Sequence, residues 1–192
     1  MNSNEIFEAL TMSEPQSLIG LPDSFGIYAL WDHERNIRYI GCTPKATEGF
    51  RIRVGHKHIT GSGGRSHKFS QAYCTGRMWR YCKKLSPAST LAAQDSNNAK
   101  LAKKLRTLFI RKHCRITYIE IPPNNLESDY FSRLTSLESQ LQNMAPSSMR
   151  SWEGVSFKPE SEPVELVDIL LSDNRILRKA AESQAALFYK HV

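Results

Sequence analysis

The sequence predicts an α+β fold, a small antiparallel β-sheet flanked by helices, with a basic insertion and terminal helices. Three observations predict it. Phe25 to Trp31 and Ile37 to Gly41 are rich in aromatic and β-branched residues and are separated by the polar run Asp32 to Asn36, the pattern of a β-hairpin. Arg115 to Ile121 is a third run of this kind, stopped by Pro122 and Pro123. The stretches Lys100 to His113, Asp129 to about Met144, and the tail from Pro163 instead carry apolar residues at helical spacing.

Residues 1 to 20 hold one weak amphipathic stretch, Ile6, Phe7 and Leu10, ending near Pro15, which reads as a leader helix or partly ordered arm. The hairpin follows. Between 44 and 60, Phe50, Ile52, Val54 and Ile59 alternate with Arg51, Arg53, His56 and His58; periodicity leaves helix and strand both open, and Gly55 weakens a helix. Gly61 to Arg65 is a loop, Met78 to Leu85 a short helix, and residues 86 to 98 another loop. Lys100 to His113 is a helix with Leu101, Leu105, Leu108 and Phe109 inward and Lys103, Lys104, Arg106, Arg111 and Lys112 outward. Asp129 can cap the helix that ends before Pro146, and two short helices close the chain. At 192 residues this makes an arm (1–20), one domain (21–156) with a basic insertion at about 60–113, and a helical extension (157–192).

The net charge of +7 is unevenly spread: residues 49 to 115 carry sixteen Lys and Arg against one acid, Asp95, while the blocks on either side are acidic. Such a block creates a field that attracts a polyanion, which makes DNA, most readily duplex, the leading partner. No stretch has the succession of a signal peptide or the length of a membrane span, so a cytoplasmic protein without a membrane partner is expected. Cys42, Cys74, Cys82 and Cys114 form no CxxC pair and read as reduced thiols. His56, His58, His67, His113 and these thiols invite a zinc reading, but their spacings match no familiar finger.

Gly26-Ile-Tyr28 and Tyr39-Ile-Gly41 stand on adjacent predicted strands with ten residues between the tyrosines. Residues two apart on a strand share a face, so pairing Tyr28 with Tyr39 across the ladder places two phenols on one side of the sheet, able to grip a water or a phosphate. The plain alternative is a pair of sheet aromatics packed on a core. Followed by Arg and His and later by a helical Glu, the two tripeptides resemble the GIY-YIG nuclease family. The resemblance covers Phe25 to about His58 and Arg115 to about Pro146, and skips the insertion.

This resemblance implies a metal-dependent endonuclease that hydrolyses DNA phosphodiesters, similar to compact restriction-like or defence enzymes, which often act as homodimers. A non-catalytic nucleic-acid binder and a structure-specific repair nuclease are the alternatives. The family's phosphate-contacting arginine corresponds to Arg51, which precedes Ile52, with Arg53 as rival; neither meets the usual spacing to His56 or His58 without a one-residue adjustment. An arginine suits the role because its planar fork holds a phosphate through two hydrogen bonds. Glu138, between Leu137 and Leu141 on an apolar helical face, matches the metal-binding glutamate, and Mg2+ or Mn2+ is the implied cofactor. The implied reaction is one-metal hydrolysis, with a water held by the tyrosine pair and deprotonated by a phenol or a histidine.

Where family members carry an Asn after a Pro-containing turn, this chain reads Pro146 to Gly154 without one, and Arg150 or Glu153 is left to replace it. Lys45, Arg65, Lys68, Arg77, Arg80, Lys83 and Lys84 are the expected DNA contacts, with Trp79 and Tyr81 interleaved among them for stacking or wedging. If that reading fails, Trp79 and Tyr81 are core residues.

Overall fold

The computed structural model describes residues 1–61, 68–80, 96–123, 129–153 and 157–191. The chain divides into two compact units, the first from residues 1–58 and 113–157, the second from residues 59–112 and 158–192. The class is α+β, as the sequence predicts.

The first unit is built on a four-stranded antiparallel sheet of β1 (Gln16–Ser17), β2 (Gly26–Trp31), β3 (Ile37–Cys42) and β4 (Arg115–Glu120), in the order β1-β4-β2-β3. β3 is therefore an edge. The β2–β3 turn is organised by the buried carboxylate of Asp32, which accepts from the amides of Glu34 (2.9 Å) and Asn36 (2.8 Å) and from Arg38 Nε (2.6 Å). Such side-chain to backbone bonds are why Asp initiates turns.

One sheet face, Ile27, Ala29, Ile40 and Cys42, packs with Ile6 and Leu10 of α1 (Ser3–Met12) and with Leu134 and Leu141 of a helix spanning Tyr130–Met144. The stretch expected as a leader helix or arm is thus a core helix, and it opens with a capping box between Asn2 and Glu5. It is tied to the sheet by the Thr117 hydroxyl, which donates to the Leu10 carbonyl (2.6 Å). The Tyr130–Met144 helix follows Asp129 as expected, but the Asp129 side chain makes no cap bond. Instead the buried Tyr130 anchors that end by donating to the carbonyl of Ile121.

The opposite face carries Tyr28, Leu30, Tyr39 and Gly41, joined by Tyr118 from β4. Over this face lies the segment whose periodicity left helix and strand open. Arg51–His58 forms a π-helix, which buries Val54 and His58 together with the preceding Phe50 and leaves Arg51 and His56 exposed. A π-helical turn of this length is rare and is found most often at functional sites.

In the second unit, α2 (Lys68–Ala72), a 3-10 turn (Gly76–Met78) and α3 (Ser96–His113) come from the insertion, and α5 (Val164–Leu171) and α6 (Arg175–His191) from the tail; the first unit's Tyr130–Met144 helix is α4. α2 is not signalled by the sequence pattern. The helix expected at Met78 to Leu85 is replaced within the described residues by the 3-10 turn, and residues 81–85 lie outside them. α3 buries Ala102, Leu105, Arg106, Phe109 and Ile110, so its inward stripe is rotated from the expected one: Leu108 is 39% exposed and Arg106 only 5%. Trp79 is buried against Phe188 of α6, with ring centroids 6.1 Å apart, and is a core residue rather than a stacking platform. Tyr81 lies outside the described residues. Among the described residues no helix is long and apolar enough to cross a membrane.

Arg35, in the hairpin turn, has φ 68°. A side chain held in the left-handed region costs energy that glycine does not incur. Arg35→Gly removes a left-handed cost of about 1–2 kcal/mol against about 0.5–1 kcal/mol of added unfolded-state entropy, so a melting temperature a few degrees higher is expected; a lower one would show that this turn is not strained.

Candidate active site at the outer edge of the hairpin

The tyrosines meet because of two glycines. In the register, Tyr28 stands opposite Gly41 and Tyr39 opposite Leu30, so the phenols are diagonal neighbours rather than the direct pair expected. Their rings stack with centroids 6.2 Å apart and planes 21° from parallel. A Cβ at position 41 would lie 2.6 Å from the Tyr39 ring and 2.7 Å from both Cζ and the hydroxyl oxygen of Tyr28. Gly26 is required for another reason. A Cβ there would sit 2.0 Å from the Ile119 carbonyl oxygen, and its φ of 155° disfavours a side chain.

His58 completes the cluster. Its Nε2 lies 2.9 Å from the Tyr28 hydroxyl, and its ring is 4.9 Å from that of Tyr39. Tyr28 and His58 are both fully buried, whereas Tyr39 is half-buried and reaches solvent. Burial, followed by the neighbouring Tyr39, pushes the Tyr28 phenol well above its ordinary 10. Tyr39 is pushed up to about 12, again first by burial and then by the charge of Glu138, with Arg53 opposing.

Arg53, not Arg51, is the arginine at the phenols. Arg51 is exposed and bound to Asp23 (2.6 Å), which corrects the preference for it. Arg53 is only 18% exposed. Burial alone would lower its pKa, but the phenols of Tyr28 and Tyr39 and the carboxylate of Glu48 raise it on balance, so the guanidinium is firmly charged. His56 is likewise an exposed residue, and of the two histidines only His58 enters the cluster.

Sequence reasoning misses Glu48. This buried carboxylate gathers three cations, with Lys57 at 2.6 Å, Lys45 at 3.4 Å and Arg53 at 3.6 Å. The bond from Lys57 is the main cause that holds its carboxyl below the usual range. A carboxylate directly ahead of a Gly-Phe-Arg run carries no signal for this role; Arg53 and Lys57 are brought to it by the following turn, and Lys45 precedes it by three residues.

Glu138 approaches from the opposite face of the sheet. Helix α4 packs under β3, and the carboxylate reaches the strand's outer edge, where its two oxygens accept from the amide (3.2 Å) and the thiol (3.1 Å) of Cys42. One rung away Glu153 accepts from the Ile40 amide (3.0 Å), while Gln142 donates to the Ile40 carbonyl (2.9 Å). The edge of the sheet is thereby closed by side chains. Both phenols feel the charge of Glu138, and Tyr39 also feels that of Glu153. Burial, with Glu138 adding to it, brings the Glu153 carboxyl up to about 7. Of Arg150 and Glu153, the two residues singled out in the sequence after Pro146, Glu153 touches the strand that carries Tyr39.

Among the described residues no group of three or more His, Cys, Asp or Glu forms a ligand set. Glu138 keeps lone pairs beyond the two bonds it accepts and is half-buried, which fits an ion held by one carboxylate and its own waters, the manner of Mg2+, rather than a closed zinc cage.

The expected DNA contacts divide. Lys45 is exposed beside Glu48. Arg77 is neutralised inside the second unit, where Glu162, Asp168 and the Val164 carbonyl take its guanidinium. Lys68 and Arg80 are half-buried on the same unit. Arg65, Lys83 and Lys84 lie outside the described residues. No family model matches the chain, and neither a curated protein nor a solved structure matches it.

Gly41→Ala is expected to destabilise the chain by about 1–3 kcal/mol through overpacking and to change the near-ultraviolet dichroism of the tyrosines; an unaltered spectrum would refute the close stack. Glu153 yields a pH test. A carboxyl raised in the folded state from 4.5 to about 7 favours folding fully below 4.5 and loses that contribution as pH climbs through 7. In EDTA, Glu153→Gln should flatten the fall in stability between those values, and equal slopes for both proteins would contradict the assignment.

Proposed function

We propose that this chain is a divalent-metal-dependent endonuclease of the GIY-YIG type, which hydrolyses phosphodiester bonds of DNA. One observation carries the reading. Tyr28, Tyr39, Arg53, His58 and Glu138, far apart in sequence, come together around one edge strand, with phenols, a firm positive charge and a carboxylate within electrostatic reach of one another.

Each group has a chemical part. Arg53 holds the scissile phosphate and offsets the charge that builds on its oxygens. Tyr39, the phenol that reaches solvent, orients the attacking water. A phenol held near 12 is a poor base, so His58, whose Nε2 lies 2.9 Å from the Tyr28 hydroxyl, is the group to take up the proton of the water. Glu138 would hold Mg2+ or Mn2+, which when bound would supply Lewis-acid stabilisation of the phosphate. Glu48 keeps Arg53 in place. A restriction-like or defence role fits a chain with its own strongly basic insertion, and Ile169 and Ile176, 58% and 74% exposed on the terminal helices, suit a homodimer that cuts both strands.

The test is plasmid cleavage with Mg2+ or Mn2+. EDTA and Glu138→Ala should each abolish it. Arg53→Ala should lower the rate about 100-fold or more, as loss of a charge-stabilising donor does, while Arg51→Ala stays within a few-fold. Cleavage that survives Glu138→Ala, or equal effects at the two arginines, would refute the site.

A further inference from the structure

The second unit contains a buried cation with no counter-charge among the described residues. Arg106 of α3 is 5% exposed, and its guanidinium is held by neutral oxygens, Nε by the Ser70 hydroxyl (3.0 Å) and Nη1 by the Met78 carbonyl (3.3 Å). Arg77, in the same unit, has Glu162 and Asp168. The contrast matters, because a desolvated charge without an opposite charge is costly.

Two more cations surround Arg106. Lys103 precedes it by three residues and so shares its side of the helix. Arg80 follows Met78 by two residues, and its backbone is pinned on both sides by Cys74, whose sulfur accepts from the Arg80 amide (3.2 Å) and donates to the Arg80 carbonyl (3.1 Å). Burial first, and then the like charges of Arg80 and Arg106, pull the Lys103 ammonium below its ordinary pKa. None of the three forms an ion pair among the described residues, and α3 carries six Lys and Arg and no acid over its 18 residues. Such a cluster is relieved by an anion with several oxygens, which arginine forks can grip in pairs.

We propose that Arg80 and Lys103, backed by the buried charge of Arg106, form a phosphate-binding site that holds the backbone of duplex DNA independently of its sequence. This rests on the reading of DNA as the substrate, and adds to it the place where the basic insertion grips. Contacts of this kind position a protein on DNA and carry no base information.

The experiment measures binding of the full chain to short labelled duplexes of two unrelated sequences in EDTA, where no cleavage occurs, across a range of salt. Arg80→Ala combined with Lys103→Ala, both at half-buried positions, should weaken binding about 10-fold or more for both sequences and lower the salt slope by about 1.8, which is about 0.9 for each phosphate no longer neutralised. Arg106→Lys keeps the charge and should bind nearly as wild type, whereas Arg106→Met should not; circular dichroism identifies any variant that has failed to fold, and the double variant then decides. An unchanged slope in a folded double variant, or weaker binding confined to one sequence, overturns the proposal. So does stabilisation of the wild type by inorganic phosphate, abolished in the double variant, with duplex binding unaltered, since the site would then serve a free phosphate. If cleavage persists while the double variant binds as wild type, this site alone fails; a wild type that neither binds nor cuts removes both readings.

Discussion

The absent side chain at position 41 is the constraint on which the candidate site depends. Two tyrosine rings occupy the space where a Cβ would be, and this lets them stack across the diagonal of the hairpin while His58 closes over them. At Gly26 the neighbouring backbone of β4 fills the corresponding space. A tight β2–β4 contact sets the strand that carries Tyr28, and an open patch on β3 receives its ring. Both glycines act through what they leave free for others.

Packing the phenols so closely has an electrostatic cost, since burial and the carboxylates of Glu138 and Glu153 all disfavour ionised tyrosine. The counterweight is Arg53, held in place with Lys45 and Lys57 around the buried Glu48. The result is a site with a positive side over the sheet and a negative side at its edge. That separation suits the phosphate and the metal ion of the proposed reaction, one on each side.

Charge is divided between the two units as well. By sequence the first contains nine Lys and Arg against twelve acids, and the second seventeen against seven. The proposed chemistry belongs to the first, and the proposed attraction of a polyanion to the second. Not every base takes part in that attraction. Arg77 is neutralised by Glu162 and Asp168 of the tail, whereas Arg80, Lys103 and Arg106 have no ion pair among the described residues, so position in the fold decides which charges are answered.

Local pattern alone determined three of the four strands, the hairpin, the body of the helices ending at His113 and Met144, those of the tail, and the pairing of two glycine-tyrosine motifs, because strand and helix periods are written in neighbouring residues; it missed β1 and the first turn of α3. It also marked Tyr28, Tyr39 and Glu138. Tertiary structure put Arg53 rather than Arg51 and His58 rather than His56 beside the phenols, turned Arg106 and Trp79 inward, gave Arg77 to Glu162, and brought Glu48 and Glu153 to the same neighbourhood. The reason is that a charge or a ring acquires its role from partners remote in the chain. Their identity depends on the π-helical turn and on packing that no local spacing encodes.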